Sequence, residues 1–226
     1  MVSALSWCRR GCLVLTAVAL LAGCSRVTVG AVRPARDGGE GPPVPVADLL
    51  IEPDRFPSQY PAEVLRDAAV KRVLQDIDGV PFDAVVTPLD CGPAATGRVD
   101  TAAAEGIDSA TGSSLIVVVT RPAPPLSAKL EQLRACQSFD VVRGDETSTV
   151  SATLLPAPPV DAEDTYAVEQ TVTTPASERR TLTLAAQIGD TRVSATWLQD
   201  PAVDDPDATS LDTLFSDAVV KLRRDG

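Results

Sequence analysis

The 226-residue sequence contains no histidine. This absence excludes the commonest general base, the Ser-His-Asp and Cys-His catalytic arrangements, and zinc sites with imidazole ligands. A hydrolase without histidine would need a serine activated by a lysine, or two carboxylates in one cleft. The only lysines are Lys71, Lys129 and Lys221, and the surrounding patterns predict that each lies on an exposed helix face.

Other signatures of chemistry are also missing. The sequence has no phosphate-binding loop and no dinucleotide fingerprint, and its nearest approach to a nucleophile elbow, "ATGSSL", leads into an apolar strand. Aromatic residues make up only 4% of the chain, too few for a base-stacking surface. Trp197 and Tyr166 could line a pocket, but core packing explains them at least as well. We therefore predict neither catalytic residues nor a cofactor.

Basic residues are outnumbered by acidic ones, 20 to 31, which gives a formal net charge of −11. A protein with this excess of negative charge repels nucleic acids and anionic lipid headgroups. Binding either of them requires clustered Lys and Arg. We therefore expect no nucleic-acid partner. The acidic stretch from Asp200 to Asp207 could offer oxygen ligands to calcium, but it lacks the EF-hand spacing and glycine. A solvated loop without metal is expected there.

The N-terminus has the order of an export signal. Arg9 and Arg10 precede an apolar and small-residue run over residues 11–23, which is shorter than the roughly 20 apolar residues that span a bilayer. Residues 1–23 are therefore predicted to be a signal peptide. The Arg pair fits a plain basic region better than a twin-arginine signal, and both export routes stay open.

The stretch Leu21-Ala22-Gly23-Cys24 resembles the lipobox of bacterial lipoproteins. The resemblance implies that Cys24 is acylated, becomes the first mature residue and anchors the chain in the cell membrane on its extracytoplasmic face. An ordinary secretory signal that happens to contain a cysteine is the alternative. Cleavage would remove Arg9 and Arg10 and no acid, which changes the net charge from −11 to −13.

Composition divides the remaining chain in two. Residues 24–46 are rich in Gly, Pro and charge without apolar periodicity, so they are predicted to form a flexible tether. Residues 47–226 fit a single domain. Its two cysteines, Cys91 and Cys136, are expected to form a disulfide in an oxidising compartment, which would stabilise the fold by about 4 kcal/mol. A redox-active pair is the alternative, although no C-x-x-C spacing supports it.

Apolar periodicity predicts an α+β fold with an antiparallel sheet of about five to seven strands, packed helices and one disulfide. A helix should end at Gly79, and it begins either near Tyr60 or, after a short strand, near Asp67. The apolar run Leu115–Val119 predicts a central strand covered on both faces, paired with the preceding "VDTAAAEGID". A second helix should follow with Ser127 as its N-cap.

The C-terminal half changes to a period of two. This alternation predicts an antiparallel meander over residues 139–198 with a hairpin turn at Gly189-Asp190, one apolar face and a Thr-rich face toward water. The final segment predicts a helix with a capping box at Thr209 and Asp212. Its apolar stripe should pack across the sheet.

The stretches "DLLIEPDRFPSQYP", "VTPLDCGP", "LIVVVTRP" and "LDTLFSDAVVKLR" together resemble a domain of unknown function found among mycobacterial secreted proteins and lipoproteins. The resemblance covers roughly residues 47–224. More distantly, the arrangement is similar to the sensor-type extracellular domains of mycobacterial receptor kinases and to PsbP-like lipoproteins. It implies an actinobacterial envelope protein and supplies no catalytic residues.

These observations favour a non-enzymatic binding or sensing module, held at the bilayer through Cys24, whose partner is an envelope ligand or protein. A ligand-sized apolar pocket would indicate a small molecule, whereas a flat polar sheet face would indicate a protein partner. The alternatives are a histidine-independent envelope hydrolase and a structural or assembly lipoprotein.

Overall fold

The computed structural model describes residues 43–93, 99–200 and 205–226. The predicted signal peptide (1–23), Cys24 and most of the predicted tether (24–46) lie outside these ranges. Within them, no helix has the length and apolar character needed to cross a bilayer.

The described residues form an α+β fold built on one antiparallel sheet of nine strands. The strands are β1 (Ala62–Val64), β2 (Val85–Thr87), β3 (Asp100–Ile107), β4 (Ser114–Arg121), β5 (Ser138–Arg143), β6 (Glu146–Leu155), β7 (Asp164–Thr173), β8 (Glu178–Ile188) and β9 (Thr191–Leu198). Their order across the sheet is β1-β3-β4-β9-β8-β7-β6-β5-β2. The predicted range of five to seven strands is too low, because β1 was only one of two alternatives and β5 was not distinguished as a separate strand at the start of the meander.

Four α-helices accompany the sheet within the described ranges. They are α1 (Val46–Leu49), α2 (Ala68–Asp78), α3 (Leu126–Ala135) and α4 (Ala208–Asp225). Two 3₁₀ turns, Pro53–Arg55 and Leu89–Cys91, precede β1 and follow β2.

The sheet is covered on both faces around its middle. Helices α1 and α4 pack on one side, which we call the α4 face, and α2 and α3 pack on the other, the α2/α3 face. Strand β4 lies between these two helix layers, and its residues from Ser114 to Val119 are all buried. The continuous apolar run in this strand therefore reflects burial on both sides, as predicted.

The C-terminal helix follows its sequence pattern closely. Its apolar stripe is buried against β9, β8 and β4 through Leu211, Leu214, Phe215, Ala218, Val219 and Leu222. The predicted cap is wrong, however: Asp207 is the N-cap, and its carboxylate accepts a hydrogen bond from the Ser210 amide at 3.1 Å, whereas Thr209 lies inside the helix. An Asp two residues earlier can cap equally well, so the pattern alone did not fix the start.

The exposed position predicted for Lys221 is also wrong. This side chain is buried, and its ammonium group donates hydrogen bonds to Glu52 at 2.8 Å and Asp225 at 3.1 Å. These hydrogen bonds raise the pKa of Lys221, and the one from Lys221 also lowers the pKa of Glu52. The pairing makes burial of the ammonium group tolerable and joins α4 to the segment that follows α1.

The starts of α2 and α3 were the other uncertain helix boundaries in the sequence. A short strand, β1, does precede α2, which begins at Ala68 after Asp67 and ends at Gly79 with a φ of +68°. The Ser127 cap is wrong, because α3 begins at Leu126 after Pro125 and no side chain caps it. Pro125 is the N-cap residue, and its extended ψ of 136° marks the last residue before the helix.

The meander is present with its hairpin at Gly189-Asp190, where Gly189 has a φ of +58°. The Thr-rich face is exposed only in part. Thr181, Thr183 and Thr196 are buried on the α2/α3 face, and the hydroxyls of Thr183 and Thr196 hydrogen-bond each other at 2.9 Å. On the α4 face of β6 and β7, by contrast, hydroxyl side chains remain at least partly accessible; this Thr/Ser surface comprises Thr147, Thr149, Ser151, Thr153, Thr171 and Thr173.

The predicted disulfide joins Cys91 and Cys136. It connects the 3₁₀ turn after β2 to the residue that follows α3, and both sulfur-bearing residues pack in a cluster with Phe139, Val141 and Val150. The disulfide therefore links the β2 edge of the sheet to the C-terminal end of α3.

Gly79 provides a test of how tightly α2 is seated. A methyl group at Gly79 would lie 2.6 Å from a Val172 methyl, whereas one at Gly144, with a φ of +60°, would meet nothing within 4 Å. We expect Gly144→Ala to cost about 1 kcal/mol through backbone strain alone, and Gly79→Ala about 2–4 kcal/mol through strain and overpacking. Urea unfolding of both variants measures the difference, and equal losses would contradict this account.

Candidate ligand-binding cleft

The candidate residues from the sequence do not converge on one site. Trp197 and Tyr166 are both buried in the core, but on opposite faces of the sheet. Within the described ranges no lysine hydrogen-bonds a serine: Lys129 donates to Gln132, and Lys221 is held by carboxylates. Burial raises the pKa of Tyr166 and of Tyr60 to about 12, so neither phenol can act as a base near neutral pH.

A cleft lies instead on the α2/α3 face, where four strands end at two neighbouring turns. The β5–β6 turn and the β7–β8 turn lie at the same end of the sheet. The last turn of α2 borders this end of the sheet, where Gly79 lies against Val150 and Val172. The resulting hairpin cleft has Val141, Ser148, Val172 and Thr174 on its floor and a volume of about 400 Å³.

Alternation along the strands decides which side chains reach the floor. In β6, Ser148 points into the cleft, whereas its neighbour Thr149 belongs to the opposite Thr/Ser surface. Val141 and Val172 are buried and contribute an apolar base. The β7–β8 turn is fixed by Thr174, whose hydroxyl oxygen accepts a hydrogen bond from the Ser177 amide at 3.0 Å. The floor is thus built on strands and a tied turn.

Two arginines stand on opposite sides of this floor. Arg179 at the start of β8 forms an ion pair with Asp76 of α2 at 3.2 Å, and both side chains are about two-thirds buried. Arg143 at the end of β5 pairs with Asp83 at 2.8 Å, and this pair is exposed. Strands β5 and β8 are three strand spacings apart, so the guanidinium groups flank a floor of about 14 Å.

This arrangement has the composition of a binding site. Ligand pockets in proteins are typically about 300–1,000 Å³, with apolar surface and a few polar groups that fix orientation. Here two valines provide the apolar part. The polar part consists of hydroxyl groups, the carboxylates of Glu146 and Glu178, and two guanidinium groups that are each paired with an aspartate. Such a cleft can recognise a small polar ligand with an apolar portion.

Sequence reasoning missed the hairpin cleft. Its residues come from one helix, four strands and two turns spread over residues 75–179, and no short motif contains them. The one available signal is the change along one face of β6 from the polar Glu146 and Ser148 to the apolar Val150 and Ala152. That signal becomes informative only when the pairing of β6 with β5 and β7 is known.

A second, smaller cavity lies between the end of α2 and α3. It has a volume of about 20 Å³, enough for one water molecule, and is lined by Asp78, Lys129, Gln170 and the disulfide. The Asp78 carboxyl group has no hydrogen bond or ion pair within the described residues. Burial raises its pKa, and the positive charge of Lys129 offsets only part of that effect.

Metal-binding residues do not cluster in the part of the chain that the structure describes. No group of three or more Cys, Asp or Glu side chains there could hold an ion. The predicted acidic loop lies partly outside the described residues, and its Asp207 serves as the cap of α4.

Comparison with known families then places the sequence. The family described as Domain of unknown function (DUF5642) matches residues 50–223. This chain belongs to the DUF5642 family. The resemblance to a domain of unknown function in the sequence analysis is therefore confirmed at the level of the family, and the match includes the whole hairpin cleft. No curated protein sequence matches the DUF5642 chain significantly.

Two solved structures are similar to this DUF5642 chain. One is an uncharacterized protein from Mycobacterium smegmatis, an ortholog of Rv0999, with 15% identity and a TM-score of 0.49; the match covers 75% of this chain and 92% of that one. The other is the extracellular domain of PknH from Mycobacterium tuberculosis, with 12% identity and a TM-score of 0.45; the match covers 77% and 98%. At these scores neither likeness carries information about a ligand or an activity.

Asp78 generates a pH-dependent prediction. Because its pKa is higher in the folded state than in the unfolded state, folding favours the protonated form, and stability falls as the pH rises above the ordinary Asp pKa of about 3.9. We therefore expect Asp78→Asn to raise the free energy of unfolding at pH 7, with a gain that disappears near pH 3. Urea unfolding of both proteins across this range measures the gain, and a pH-independent difference would contradict it.

Proposed function

We propose that this chain is a lipid-anchored, extracytoplasmic binding or sensing module of the bacterial cell envelope and that it binds its ligand in the hairpin cleft. The observation that carries the proposal is the cleft itself, which has ligand-scale volume, an apolar base and two flanking arginines. Its floor is built on sheet strands, so it is preformed, and a preformed site loses little ordering entropy when it binds.

The proposed location draws on separate features of the chain. The lipobox-like stretch ending at Cys24 provides an attachment point, and acylation with two or more chains gives stable anchoring. The Cys91–Cys136 disulfide is the kind of bond that persists outside the cytoplasm. A net charge of −13 after cleavage disfavours nucleic acid as the partner.

We further propose that the module is not an enzyme. In the described ranges, each lysine ammonium group with a hydrogen bond donates it to a carboxamide or carboxylate oxygen rather than to a serine. The two tyrosines stay protonated near neutral pH. The hydroxyl and guanidinium groups that border the cleft can bind and orient a ligand.

The Thr/Ser surface supports a second candidate function, the binding of a protein partner. It is a flat part of the α4 face that α4 does not cover, and its side chains are short and mostly uncharged. Interface cores are likewise depleted in charge. In this candidate the chain acts as a structural or assembly lipoprotein, and the cleft has no ligand.

Neighbouring residues on β6 allow the two candidates to be separated. We expect Ser148→Trp, which fills the cleft, to lower retention of a copurifying small molecule by about tenfold or more, whereas Thr149→Trp on the opposite face leaves it unchanged. The chain is captured from envelope extract, and small molecules in the native complex are quantified by mass spectrometry.

Urea unfolding of both variants controls for damage to the fold. Loss of a protein partner with Thr149→Trp but not with Ser148→Trp would favour the second candidate. Equal small-molecule retention by Ser148→Trp and the unmodified chain would contradict the cleft proposal.

Anchoring is tested on Cys24 alone. We expect Cys24→Ala to remove the acylated thiol, so that the protein either leaves the membrane fraction for the medium or remains unprocessed. Membrane fractionation and intact-mass measurement provide the readout, with Cys8→Ala in the predicted signal peptide as the matched control. Equal membrane retention and mass of the Cys24→Ala variant would overturn the lipoprotein proposal.

A further inference from the structure

Four large apolar side chains are exposed together at one edge of the sheet. Phe82 is 88% exposed, Val85 62%, Leu89 81% and Val142 37%, and we call them the edge patch. Phe82 precedes the edge strand β2, and Leu89 lies in the 3₁₀ turn that follows it. Val85 and Val142 are direct partners in the β2–β5 register, so their side chains are neighbours.

The exposure of these residues follows from the fold rather than from loose packing. Strand β2 alternates normally: Val86 is buried on the α2/α3 face, and Val85 points to the α4 face at an end that α4 does not reach. The disulfide at Cys91 holds the turn that contains Leu89. The apolar side chains are therefore presented on a fixed scaffold.

We propose that the edge patch contacts the surface of the lipid bilayer in which the chain is anchored. This inference rests on the lipid anchoring proposed above. It gives the domain a second, weak membrane contact and a preferred orientation, with the β2 edge toward the bilayer.

The size and shape of the patch favour a lipid surface over a protein partner. Stable protein interfaces take about 800 Å² from each partner, usually on complementary surfaces. The edge patch consists of four side chains, and its two most exposed members lie in turns on either side of a three-residue strand. A protruding Phe and Leu are suited to the boundary between lipid headgroups and acyl chains, which accepts a few apolar side chains from a peripheral domain.

The covalent chain permits this contact. Pro43, the first described residue, lies nineteen positions after Cys24, and at about 3.4 Å per position the chain between them spans at most about 65 Å. Helix α1, which follows Pro43, packs beside β3 and β4, and β2 lies six strand spacings beyond β4, or about 30 Å. The chain can thus run from an anchor in the bilayer to α1 while the β2 edge rests on the same membrane.

Charge determines which lipids the patch prefers. The Arg143–Asp83 ion pair beside it is neutral overall, but the mature chain carries a net charge of −13. Anionic headgroups would repel the domain as a whole, so apolar contact is strongest on zwitterionic lipid. Contact should weaken with anionic lipid and recover when salt screens the repulsion.

A tryptophan at position 82 reports this contact directly. The mature chain, from Cys24 to Gly226, is purified from membranes and reconstituted into phosphatidylcholine vesicles. The acyl chains of the lipid are brominated, and bromine quenches nearby tryptophan. We expect Phe82→Trp to be quenched at least about twofold more than Val220→Trp, whose residue is exposed on α4 away from β2. The buried Trp197 is common to both variants and serves as the internal reference.

Leu89→Trp provides an independent position in the same patch and should be quenched like Phe82→Trp. Replacement of a quarter of the lipid by phosphatidylglycerol should reduce both signals at low salt, and added salt should restore them. Equal quenching at positions 82, 89 and 220 in vesicles that retain the chain would overturn the edge-patch proposal and leave anchoring and the cleft untouched. A processed chain that fails to cofractionate with vesicles would overturn anchoring and the edge-patch contact together.

Discussion

A nine-stranded sheet is about 38 Å wide, and wherever its strands are apolar both faces must be protected from water. Four helices cannot cover that area twice. They concentrate on the middle, where β4 is buried on both sides, and the far end around β5 and β6 is left with partial cover. The hairpin cleft, the Thr/Ser surface and the edge patch all lie at this far end. Incomplete coverage of the sheet therefore accounts for all three of these accessible features.

The protein stabilises the far end by means other than a large core. The disulfide joins the turn after β2 to the residue after α3. Gln132 of α3 donates hydrogen bonds to the carbonyl oxygens of Asp90 and Gly92 at 3.0 and 2.7 Å, on either side of Cys91. These contacts hold a short edge strand that few apolar contacts would otherwise retain, and they keep the residues beside the cleft in fixed positions.

The sequence was informative where long segments carry one clear period. The stripe of α4, the apolar run of β4 and the hairpin at Gly189 are all present as predicted, because each depends on local alternation and turn chemistry. Short elements were harder. Strand β5 was not distinguished from the start of the meander, because six residues show few alternations, and the cap of α4 is Asp207 rather than Thr209, because several side chains can cap a helix.

The cleft was out of reach for a different reason. Ser148 and Arg179 are thirty-one positions apart and meet only through the order of four strands, which alternation does not encode. Burial of Lys221 was missed in the same way, since its partner Glu52 comes from the opposite end of the domain. Local patterns thus predicted helices and strands, whereas contacts between distant segments are evident only from the folded structure.

The Lys221–Glu52 pair has a mechanical consequence. The first described residues and the last helix are packed together, because α1 lies against α4 and the ammonium of Lys221 joins α4 to the residue after Ile51. In the proposed anchored state, tension from the membrane would enter the domain at α1 and be transmitted as shear to α4 and the central strands. The hairpins around the cleft lie outside this load path, so tension on the proposed anchor would leave the hairpin cleft undistorted.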